Sequence, residues 1–125
     1  DDPLIGLAVA VELEAAGHRV LGPACDRGAA MELIRNDRPD VALVDIDLGE
    51  GGDGVALAQD LRRAGVAPVF ASGEGERARA HREAAFAWLA KPYAPEAAVR
   101  SLEAIQAALK GLRPACPPEL EWFMT

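Results

Sequence analysis

Residues 39–54, PDVALVDIDLGEGGDG, place two carboxylates, Asp45 and Asp47, where an apolar run meets a glycine-rich loop. Two more polar side chains end apolar runs in the same way, Ser72 after VAPVFA and Lys91 after AFAWLA. Taken singly, a polar residue after a strand is ordinarily a turn former or a helix cap. Taken together, the three strand ends offer a carboxylate, a hydroxyl and an ammonium, a set suited to phosphoryl transfer onto an aspartate. The carboxylate attacks phosphorus, a divalent cation offsets charge on the incoming oxygens, and the hydroxyl and ammonium each hold a phosphoryl oxygen. Mg2+ takes hard oxygen ligands and keeps several waters, so a second carboxylate is needed near Asp45. Asp1 and Asp2, at the head of the chain, are the source the sequence offers.

The elements that must bring these groups together alternate. Helical apolar spacing runs over 4–16, with Pro3 in a favoured first-turn position and Gly17 as a stop. A strand-like run, 18–22, precedes a helix over 26–36 with apolar residues at 29, 30, 33 and 34. The stretch 41–44 is continuously apolar, the pattern of a strand covered on both faces. Asp53 is placed to cap a helix through Ala64, which Gly65 stops, and 66–71 is the next strand. A polar helix over 74–85, a short strand over 86–90 and a helix over 95–109 follow, the last turning Ala98, Leu102, Ile105 and Leu109 inward. Strands alternating with helices predict an α/β fold, a doubly wound parallel sheet whose ligands sit beyond the carboxyl ends of its strands. Asp45, Ser72 and Lys91 all fall at that end. Residues 1–110 are expected to form one domain and 111–125 a proline-rich tail.

Composition narrows the partners. The 125 residues carry 20 acidic and 13 basic side chains, a formal charge of −7, so the basic footprint of a nucleic-acid binder is missing. Half of the residues are hydrophobic, enough for a core. No window approaches the roughly eighteen apolar residues of a membrane span. Cys25 and Cys116 are read as reduced thiols, which points to a cytoplasmic protein. The charges between Glu76 and Glu83, among them Arg77, Arg79 and Arg82, are read as a solvated helix face.

With these residues in view, the chain resembles the receiver domain of bacterial two-component response regulators over nearly its whole length. DDPLI resembles the acidic cluster that opens the first helix, PDVALVDIDL the phosphoacceptor strand, GDG the turn into the third helix, PVFASG the hydroxyl strand and WLAKPY the lysine strand. The resemblance implies a flavodoxin-like sheet of strand order 2-1-3-4-5. It implies Asp45 as phosphoacceptor, with Asp1, Asp45 and the backbone carbonyl of Asp47 as Mg2+ ligands. Ser72 stands at the switch hydroxyl, Lys91 at the lysine and Trp88 at the switch aromatic; the Lys91–Pro92 bond is cis in typical members. The donor implied is a histidine kinase or a histidine phosphotransfer protein.

Two departures stand out. Glycines in DLGEGGDG replace the proline that typically follows the phosphoacceptor strand. Family members also begin with an apolar strand ending in an acidic pair, whereas this chain begins at the last residue of that pair, so the first strand is expected to be missing ahead of Asp1. The strand-like tail ELEWFMT is considered as a filler for that slot, behind omission of natural N-terminal residues. Two alternative functions are weighed. VDIDLG also resembles the nucleophile loop of haloacid-dehalogenase-type phosphatases, although YAPEAAV after Lys91 offers one glutamate where those enzymes carry an acidic pair. A degenerate receiver that binds partners without phosphorylation is the other. In the main reading the protein is a phosphoacceptor rather than a turnover enzyme, and a downstream protein or a second copy reads the face formed by residues 74–110.

Overall fold

The computed structural model describes residues 27–36, 38–46, 53–112 and 116–123. The helix expected over 4–16 and the strand expected over 18–22 lie outside them. Four strands, β1 (Val41–Asp45), β2 (Ala67–Ser72), β3 (Ala87–Ala90) and β4 (Leu120–Trp122), form one sheet in that order. β1, β2 and β3 run parallel, and β4 pairs antiparallel with β3. The three parallel strands take the last three places of the expected order. α1 (Arg27–Asn36) precedes β1, α2 (Asp53–Arg63) joins β1 to β2, and α3 (Gly75–Ala80) with a 3-10 turn (Arg82–Ala84) joins β2 to β3. α4 (Pro95–Leu109) crosses back after β3.

Strand alternation sends successive side chains to opposite faces, and the core divides accordingly. Ala42, Val44 and Phe70 pack with Ala58 and Leu61 of α2, Ala78 of α3 and Met31 and Ile34 of α1. Val41, Leu43, Val69, Ala87 and Leu89 pack on the other face with Ala98 and Ile105 of α4. Helices therefore cover both faces, as a parallel sheet requires. β2 is buried throughout, whereas only Val44 of β1 is fully buried. β1 is covered on both faces as expected, Ala42 and Val44 packing on one and Val41 and Leu43 on the other, although the cover is complete only at Val44. Gly65, with φ +87°, ends α2.

The helix expected over 74–85 breaks at His81, where the chain turns into the 3-10 segment. Ala78 before the break and Ala84 and Ala85 after it are all buried in the core. α4 runs over the expected residues, but Leu109 is 45% exposed rather than inward, because the helix ends beyond the sheet it packs on. The tail does form a strand. It lies at the β3 edge, with β2 and β3 between it and β1, and so does not fill the slot considered for it.

Candidate functional site

The ladder brings the three chemical groups to neighbouring strand ends. Asp45, the last residue of β1, pairs with Ala71; Ser72, one residue on, ends β2 and pairs with Ala90; Lys91 follows directly. Backbone bonds continue the junction beyond the strands, from Ile46 N to the Ala71 carbonyl (3.2 Å) and from Lys91 N to the Ser72 carbonyl (3.0 Å). The Lys91–Pro92 peptide is cis, as the resemblance implies.

Lys91 Nζ donates to the Asp45 carboxylate and forms an ion pair with it. The side chains are 21% and 13% exposed, so the pair is shielded from much of the solvent yet opens at the sheet's carboxyl end. A carboxylate in this position is a hard oxygen donor that fits Mg2+, and the neighbouring ammonium fits a phosphoryl oxygen. Asp1 and Asp47, the other expected metal ligands, lie outside the described residues.

Ser72 is fully buried. Its Oγ accepts from the Glu74 amide at 2.9 Å and donates to the Glu74 carbonyl at 3.3 Å, closing the turn into α3. Trp88 shares the Phe70 face of the sheet, and its indole Nε1 donates to the Ser72 carbonyl at 2.9 Å. Gly75 lies against this ring, and a Cβ there would come within 2.8 Å of Trp88 Cη2. Only glycine leaves the indole its place. The Arg79 guanidinium covers the ring at 5.1 Å from its centroid.

Two neighbours of the site were not singled out by sequence. Arg77 of α3 donates to the Ile46 carbonyl at 3.1 Å, directly after Asp45. Tyr93 is half-buried close enough to sense both charges: burial raises its phenol pKa, Lys91 lowers it and Asp45 raises it. The WLAKPY run contained a signal for Tyr93, a hydroxyl two residues after the lysine. Nothing of the kind marked Arg77, since one arginine in a charged helix looks like any other. The charged face expected there is exposed, and three of its arginines also reach neighbouring groups: Arg77 the Ile46 carbonyl, Arg79 the Glu121 carboxylate and Arg82 the Phe123 ring at 5.4 Å. Long side chains bridge from a polar helix to packed elements while keeping their charge near water.

Comparison with known proteins agrees with this arrangement. Residues 1–103 match the family model described as response regulator receiver domain. The chain is similar to the phyllosphere-induced regulator PhyR of Methylorubrum extorquens, 34% identical over 98 residues, which cover 76% of this chain and 37% of the relative. It is also similar to the transcriptional regulatory protein PdtaR of Mycobacterium tuberculosis, 27% identical over 82% of this chain and 52% of that protein. The chain thus spans 37% and 52% of the lengths of these two curated relatives. Among solved structures, a putative response regulator from Chloroflexus aurantiacus superposes with a TM-score of 0.73 at 27% identity, over 86% of this chain and 92% of that one.

Proposed function

The chain belongs to the response regulator receiver domain family, and on that premise we propose that it is a phosphoacceptor module that takes a phosphoryl group on Asp45. The donor is a phosphohistidine on a histidine kinase or a histidine phosphotransfer protein. The pairing of Lys91 with the Asp45 carboxylate across adjacent strand ends is the observation that carries this reading. In the transfer, an Asp45 oxygen forms the new O–P bond as the N–P bond to the imidazole breaks, and the imidazole leaves as the neutral or protonated base. Bound Mg2+ would supply charge compensation on the phosphoryl oxygens. Asp45, Asp1 and the Asp47 carbonyl would hold it. Lys91 holds one phosphoryl oxygen, and the Ser72 hydroxyl, leaving its turn at Glu74, holds another.

The module is taken as residues 1–110, on whose sheet the 111–125 segment lays β4; it works in the cytoplasm and transmits its state to a downstream protein or a second copy through the 74–110 face. Among the described residues no helix is long and apolar enough to cross a membrane. The family assignment decides against the haloacid-dehalogenase-type alternative. Incubation with acetyl phosphate and Mg2+ tests the reading: one phosphoryl group per chain supports it, and loss of labelling on Asp1→Ala or on chelation supports the metal ligands. A correctly folded chain that takes no label would instead be a binding module that works without phosphorylation.

A further inference from the structure

We propose that β4 is a displaceable cover on the edge of β3, pinned over Trp88 by Glu121 and Arg79 and released when Asp45 is phosphorylated. The proposal rests on the phosphoacceptor reading above and adds to it an internal occupant for part of the surface that a partner would use.

β4 is built to hold, but only lightly. It has three residues, paired with β3 in the register Ala87 with Trp122, Trp88 with Glu121 and Leu89 with Leu120. The Ala90 amide donates to the Glu119 carbonyl at 3.1 Å and the Phe123 amide to the Phe86 carbonyl at 2.8 Å. Leu120 and Phe123 are buried, one on each face of the sheet. So short an edge strand has few contacts to lose, and segments of this kind open at a fraction of the cost of global unfolding.

One cation links the cover to the switch. Arg79 makes two bonds to the Glu121 carboxylate, Nε to Oε2 at 2.9 Å and Nη2 to Oε1 at 2.8 Å, while its guanidinium lies over the Trp88 ring. Trp88 in turn is tied to the Ser72 carbonyl at the strand end beside Asp45. If Ser72 moves toward a phosphoryl group and Trp88 turns, Arg79 loses the ring beneath it and Glu121 loses the geometry of a planar fork. With Arg79 and Glu121 side chains 51% and 39% exposed, the pair is worth little once misaligned. Release leaves the N–H and C=O groups along the β3 edge open to pairing with an incoming strand. In the unmodified chain, the resident occupant of that edge is the protein's own β4.

Amide hydrogen exchange on the full chain tests this, with beryllofluoride and Mg2+ as the phosphoryl mimic and uptake confirmed by fluorine NMR. The Ala90 and Phe123 amides should exchange about tenfold faster on loading, while the Val66 amide, bonded to Leu61 at the end of α2, should not change. Glu121→Lys should give the same acceleration without the mimic, and adding Arg79→Glu to it should restore slow exchange. Uptake with unchanged Ala90 and Phe123 exchange overturns the cover and leaves the phosphoacceptor reading intact. Glu121→Lys without acceleration also overturns it. Failure to take the mimic overturns the phosphoacceptor reading and the proposal with it.

Discussion

Trp88 is hydrogen-bonded to the backbone of Ser72, not to its hydroxyl: the indole Nε1 lies 2.9 Å from the Ser72 carbonyl, while Oγ is engaged with Glu74. The anchoring of the indole by the Ser72 carbonyl and the role proposed for its hydroxyl are therefore separable by mutation. Ser72→Ala should leave the resting Trp88 emission in place and abolish its change on phosphorylation, measured in a Trp122→Phe background. A resting emission that already matches the phosphorylated one would contradict the separation.

Gly75→Ala probes the space the indole occupies. A Cβ there would meet the Trp88 ring at 2.8 Å, so the ring or α3 must shift. Overpacking of this kind costs typically about 1–3 kcal/mol. Urea unfolding should show that loss, and Trp88 emission should shift before any phosphoryl donor is added. Unaltered emission would mean that the ring is not confined there.

Lys91→Ala should act in opposite directions on metal and phosphoryl group. Removing the cation paired with Asp45 removes repulsion toward a second cation, so Mg2+ should bind more tightly, by roughly two- to tenfold for a partly screened charge. Labelling should slow, because one phosphoryl oxygen loses its partner. Titration followed by tryptophan emission and time-resolved mass spectrometry read the two effects, and a parallel fall in both would contradict the assignment.

Acid should loosen β4 early. The hydrogen bond from Arg79 holds the Glu121 carboxyl below its ordinary value, assisted by the charges of Arg79 and Arg82. A carboxyl depressed in the folded state contributes stability that is present above its unfolded value and fades as pH falls through the folded one. The Ala90 and Phe123 amides should thus lose protection as pH falls below the usual carboxylate range, before the Val66 amide does. Since the pair is exposed, added salt should produce part of the same effect at neutral pH.

The site was legible in sequence because polar residues that end apolar runs are conspicuous, and parallel strands gather their ends on one side. Asp45, Ser72 and Lys91 needed no more than that. α4 was legible for a similar reason, with enough turns for its apolar spacing to show. β4 was legible as a strand and not as to its place, because Leu120–Trp122 is too short to specify a partner and its edge is chosen by Leu120 and Phe123 finding the core. The break at His81 was hidden as well. It arises from the burial of Ala84 and Ala85 under the sheet, a tertiary demand that overrides the helical propensity of the local residues.

Intact-mass spectrometry with peptide mapping after acetyl phosphate and Mg2+ tests the central claim most directly. A single phosphoryl group located on Asp45 in the unaltered chain, and none on the Asp45→Asn variant, is the predicted result. Full labelling of Asp45→Asn, or a label mapped to another residue of the unaltered chain, would contradict it.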